Sequence, residues 1–186
     1  MRRGVAVAVC AALTSVSASC SGERGALSSN GANVVLCLPA AGHRVVTDAE
    51  DELEDHSGKA VTLRSVTPLH AHGLRLVGPA LLPIADGNPP VGGDFPPTRG
   101  PESLRPGAWA KRTSVGQALP AGVAEFWVVF GAAITPGFST GTSTGTRVEY
   151  EQDGDVKVVT IPTALVLVDT PRCDSVLATP PVQPRT

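Results

Sequence analysis

Between residues 33 and 169 the apolar positions come in short, β-branched runs broken by Gly, Pro, Asn and Asp. No stretch of ten or more residues there holds a helical period. Strands are therefore predicted at NVVLCL (33–38), AVTLRSVTP (60–68) and GLRLVGPALLPI (73–84), with a weaker one at WAKRTSV (109–115). VAEFWVVFGAAI (123–134) is almost continuously apolar, with Phe126, Val128 and Phe130 on one face and Trp127 and Val129 on the other. Such a strand needs cover on both sides, so it is predicted to be central. TRVEYEQDGDVKVV reads as a hairpin: Arg147, Glu149 and Glu151 alternate with Val148 and Tyr150, and Asp153-Gly154 supplies the positive-φ pair of a type I′ turn. On the return Val156 and Val158 flank Lys157, so the charged side is expected out and the apolar side in. The strand is expected to run on past Pro162 into TALVLVD, with a bulge or an edge position where proline cannot donate.

Short strands at this spacing predict an all-β chain: an antiparallel β-sandwich, immunoglobulin-like, of about seven strands, with a small β-barrel as the alternative. The expected boundaries are a β-sandwich domain at 34–175, a flexible Gly/Ser-rich tether at 20–33 and a disordered Pro-rich tail at 176–186. Residues 1–19 read as a signal peptide: Arg2 and Arg3 precede an apolar run from Val5 to Val16, then Ser17, Ala18 and Ser19. That run is too short to span a bilayer and has the three-part layout of an export signal.

Cysteine placement extends this picture. VSASCSG resembles a lipobox, which would make Cys20 the lipid-bearing first residue of the mature chain; Ser17 stands where leucine is usual, which leaves simple secretion open. Cys10 leaves with the signal. If Cys20 carries a lipid, Cys37 and Cys173 remain as an even pair in an oxidising compartment, where a disulfide is expected. The whole chain of 186 residues has a net charge of -2 and 17% charged residues. No basic field is available for phosphates, so nucleic acid is not an expected partner, and contact with a membrane is expected through a lipid anchor only.

SASCSG, the segment LEDHSGKAVTLRSVTPLHAHGLRLVGPALLP and the closing VEYEQDGDVKVVTIPTALVLV together look like small secreted or lipid-anchored proteins of actinobacteria with an immunoglobulin-like domain, a group of unknown function. The resemblance covers most of the mature chain and rests on strands and turns. It implies a compartment and a fold and carries no catalytic residue.

Four stretches raise chemistry. Gly137-Phe138-Ser139-Thr140-Gly141 matches the G-x-S-x-G nucleophile elbow, but a strand–turn–helix context is missing. His43, His56, His70 and His72 all precede Ser139, whereas that triad places its histidine after the serine. The stretch is expected to be a hydroxyl-rich loop, and no catalytic residue is assigned. In LHAHG, His70 and His72 would point the same way from an extended segment, a spacing able to supply two metal ligands, with a third from His43, His56 or the acidic run. DAEDELED (48–55) packs six carboxylates into eight residues without the glycine-broken spacing of a calcium loop, so a solvated edge or short helical turn is expected. Residues 85–107 form a long, proline-rich segment in which Phe95 and Leu104 could anchor a contact surface.

The expected function is that of an extracytoplasmic, lipid-anchored, non-enzymatic binding or structural module. It would act on an unknown protein or envelope component through loops 85–107 and 135–146, with no cofactor. The alternative is a metal-binding module using His70 and His72.

Overall fold

A computed structural model describes residues 25–89, 91–97 and 104–173. The signal segment, Cys20 and the tail 176–186 lie outside them. Among the described residues there are eleven strands, two short 3₁₀ turns and no helix long and apolar enough to cross a membrane. The strands are β1 (Leu27–Ser29), β2 (Val35–Pro39), β3 (Val46–Asp55), β4 (Val61–Leu69), β5 (Leu74–Pro83), β6 (Thr113–Ser114), β7 (Glu125–Ile134), β8 (Thr140–Ser143), β9 (Gly145–Gln152), β10 (Asp155–Ile161) and β11 (Ala164–Val168). They form one five-stranded sheet, β1-β3-β7-β5-β6, packed on two three-stranded sheets, β10-β9-β4 and β2-β11-β8. The architecture is the predicted all-β sandwich, with no closed barrel among the described residues and with more strands than expected. All pairings are antiparallel except β2 with β11, which is parallel.

β7 is central, as its apolar pattern requires. Phe126, Val128 and Phe130 enter the main core with Leu53 of β3, Tyr150 of β9 and Leu167 of β11. Each such side chain contributes about 1.5–3 kcal/mol by leaving water. Val129, on the opposite face, packs with Ala49 and Leu82, and Leu104, Trp109 and Trp127 close over them. The cover for this outer face comes from the proline-rich segment. Phe95 stacks edge-on against Trp109 at 5.5 Å and lies over Gly78 and Gly131, where added Cβ atoms would come within 3.1 Å and 2.8 Å of its ring. A phenyl ring can rest on the strand backbones because those two positions lack side chains. The same segment is tied to β3 by Thr47 N–H donating to Gly93 O and Gly92 N–H donating to Thr47 O, and to the turn at residues 108–111 by a Lys111–Asp86 ion pair of 2.6 Å. Phe95 and Leu104 therefore face inward, correcting their expected role as anchors of a contact surface.

Three further expectations are revised. The acidic run is neither solvated edge nor helix: it is β3, an interior strand between β1 and β7, with a bulge between Asp48 and Asp51. Both aspartates are buried, and Thr163 Oγ1 donates to Asp51 Oδ1 at 2.5 Å. The expected tether at 20–33 is partly domain, since Ala26 and Leu27 join the core and β1 pairs with β3. The chain past Pro162 does not prolong β10. It crosses to another sheet, where β11 lies between β2 and β8.

The hairpin turn is as predicted, with Asp153 at φ 55° and Gly154 at φ 88°. Its register, however, places Val156 opposite Glu151 and Val158 opposite Glu149. The two valines consequently share the outer face and are 64% and 46% exposed, correcting the expectation that they face the core.

Candidate functional site

β1 and β10 are the outermost strands of two different sheets, and their free edges open into one groove of about 820 Å³. Leu27 and Ser28 form one wall and Val158 and Thr160 the other, with His56 at the rim and Gln152 inside. The local sequence explains each placement. In β9 the inward positions alternate as Val148, Tyr150 and Gln152, so the last inward side chain before the turn is an amide. Tyr150 is fully buried, and its hydroxyl accepts from Leu27 N–H at 3.2 Å, tying β9 to β1. Gln152 is 5% exposed, and its Oε1 has no hydrogen-bond partner among the described residues.

Hydrogen bonds organise the rim. Ser28 Oγ lies 2.7 Å from His56 Nε2, Glu54 Oε2 approaches that same nitrogen at 3.3 Å, and Asn30 Nδ2 donates to Glu54 Oε1. A serine, a histidine and a carboxylate thus meet, but not as a relay. In a triad the acid holds Nδ1 so that Nε2 is free to take the serine proton. Here both partners converge on Nε2, and the groups satisfy one another instead of activating the hydroxyl.

The residues singled out in the sequence lie elsewhere. His70 adopts a left-handed conformation at φ 47°, so the LHAHG segment turns where an extended chain was expected. His72 exchanges backbone hydrogen bonds of 2.9 and 2.8 Å with Thr142, and its ring meets Phe138 edge-on at 5.0 Å. The two conspicuous motifs, LHAHG and GFSTGT, are therefore packed on each other: an added Cβ on Gly73 would come within 2.5 Å of Thr140 O and 2.8 Å of the Phe138 ring. Among the described residues, no group of three His, Cys, Asp or Glu side chains is placed to hold a metal ion, so the ligand set expected around His70 and His72 does not assemble. Ser139 makes no side-chain bond to a histidine there. Its carbonyl accepts from Asp169 N–H, and Thr140–Ser143 is strand β8, so half of 135–146 is sheet where a loop was expected.

His43 pairs through Nδ1 with Asp94 at 2.8 Å, beside a shallow concavity that Phe138 and Asp169 also line. Both side chains are solvent-accessible, and no nucleophile among the described residues is bonded to them. Cys37 and Cys173 form a disulfide across a sequence separation of 136.

Ser28 and Gln152 were not singled out by sequence reasoning. For Gln152 a signal existed: it occupies an inward phase set by Val148 and Tyr150. Ser28 carried none, because its meeting with His56 depends on β1 docking beside β3.

No protein-family model and no curated protein matches the chain. Among solved structures the chain is similar to the ASH/PapD-like domain of human CEP192 (PapD-like domain 7), at 12% identity and a TM-score of 0.33, over 75% of this chain and 83% of that one.

Proposed function

We propose that the protein is an exported, non-enzymatic binding module, held at the outer face of the cell membrane by a lipid on Cys20 and engaging a protein or envelope component there. The observation that favours binding over catalysis is the geometry at His56, where serine and carboxylate compete for one nitrogen and, among the described residues, no acid orients the other. The export layout of residues 1–19 and the Cys37–Cys173 bridge support an oxidising compartment. Mass spectrometry of the mature amino terminus tests the anchor: an acylated Cys20 is expected, and an unmodified terminus at or after Cys20 removes it from the reading. Crosslinking in the native envelope, followed by pull-down, is expected to return a reproducible partner. Hydrolysis of nitrophenyl esters that disappears in Ser28→Ala or Ser139→Ala would overturn the non-enzymatic assignment.

A further inference from the structure

We infer that the groove between β1 and β10 is a binding site for an uncharged, extended peptide segment, which adds to the free edge of β10 and donates a backbone N–H to Gln152 Oε1. The inference names the partner chemistry of the binding module proposed above and rests on that reading for its biological setting.

The edge geometry follows from the hairpin. A two-residue turn closed by the pair Gln152 and Asp155 makes Asp155, Lys157, Val159 and Ile161 the positions whose N–H and C=O groups face β9. Val156, Val158 and Thr160 then direct theirs outward, and among the described residues no other strand takes them. An extended chain laid alongside satisfies three outward-facing residues at once, the arrangement by which sheet edges capture peptides. The opposite wall is also a sheet edge, so the ligand lies between two ladders.

Gln152 is the second, independent sign. A buried amide oxygen without a partner is a standing penalty of about 1–3 kcal/mol, and such groups in folded proteins call for an explanation. Gln152 lines this groove, and a ligand N–H there reaches its Oε1 once the terminal amide turns toward it. The polar groups at the rim already have partners: Glu54 accepts from Asn30 and lies against His56, and His56 lies against Ser28. No Asp, Glu, Lys or Arg is among the described residues that line the groove, so the complementary ligand is a neutral amide chain. Exposed Val156 and Val158 offer apolar contact to alternate side chains on its outer face.

The test uses the mature protein and a capped heptapeptide alternating threonine and valine, titrated while amide and side-chain NH₂ resonances are followed by NMR. Saturable shifts at Val156, Val158, Thr160 and the Gln152 side chain are expected. Gln152→Leu replaces the unpartnered amide with an apolar group of similar size. It is expected to leave thermal stability equal or higher while weakening the peptide at least tenfold. Val158→Pro removes one outward N–H at an edge position and is expected to do the same; if it does not fold, Gln152→Leu alone decides.

Unchanged affinity in Gln152→Leu, shifts located elsewhere, or no shifts up to millimolar peptide would overturn the site. So would a concentration-dependent dimer pairing through β10 in sedimentation, which would make a second copy the occupant. An envelope partner captured equally by wild type and Gln152→Leu would leave the binding-module reading standing and remove the groove from it. Peptide binding without any envelope partner would do the reverse.

Discussion

Gly131 sits inside the central strand β7, where glycine ordinarily weakens pairing, and its neighbours explain it. A Cβ there would collide with Val45 Cγ1 and come within 2.8 Å of the Phe95 ring. Gly131→Ala is expected to destabilise by about 1–3 kcal/mol through overpacking, read as a lower urea midpoint at constant m. Tyr150→Phe removes the acceptor of a buried backbone donor, Leu27 N–H, and is expected to lose about 1–2 kcal/mol while leaving the ring packing intact. Hydrogen exchange separates the two: the Leu27 amide should exchange faster in Tyr150→Phe and not in Gly131→Ala. For the histidines, zinc calorimetry at neutral pH is expected to show nothing tighter than micromolar and no change in His70→Ala. Stoichiometric tight binding lost in that variant would reinstate a metal site. The lesson at this scale concerns reach: Gly131 was legible only as a residue in a strand, because the ring that requires it arrives from a loop thirty-six positions upstream in the chain.

Elements were legible where one face or both met a uniform environment. β7, with apolar residues on both faces, was placed centrally from its pattern alone, and the Asp153-Gly154 turn was recognised from the two residues that can adopt its backbone. β3 was not legible, because reading DAEDELED as solvated assumes that carboxylates stay in water. Asp51 is instead buried against Thr163, which lies in the crossing between β10 and β11 and is 112 residues distant in sequence. The hairpin shows a subtler limit. The alternation in β10 was visible, but the two-residue turn shifts its phase so that Val156 and Val158 share the face of Glu151 and Glu149. The candidate groove inherits that difficulty, since it exists only where the edges of two sheets meet. The proline-rich segment makes an element-scale prediction. Because Phe95 and Trp109 roof the outer face of β7, Phe95→Ala is expected to destabilise by about 2 kcal/mol, below the usual loss for a fully enclosed phenylalanine because this ring is partly exposed. Limited proteolysis should cut the 85–107 segment faster in the variant. Equal cleavage rates and equal stability would mean that the segment is no roof.

At the scale of the whole molecule, the first and last parts of the sandwich meet in one sheet. β2 and β11 run parallel, and the Cys37–Cys173 bridge joins β2 to the chain just beyond β11. A parallel pair has no hairpin to hold it, so this contact is the most expensive in loop-closure entropy of any along the ladder. The bridge removes that entropy from the unfolded chain. For a sequence separation of 136, the chain-entropy estimate is about 5 kcal/mol, an idealised upper figure against a usual range of about 2–4. Single domains rarely hold more than about 5–15 kcal/mol in total, so the bridge is a large share of stability in any compartment that keeps it oxidised. Guanidinium unfolding with and without reductant is the measurement. The reduced protein, and a Cys37→Ser/Cys173→Ser double variant, should unfold at clearly lower denaturant and with a larger loss than Phe95→Ala. Loss of protection in hydrogen exchange should appear first at β2 and the β11 amides that face it, while β7 and β9 remain protected until global unfolding. Identical midpoints for oxidised and reduced protein would mean that packing of Leu165 and Leu167 in the core holds the parallel pair unaided.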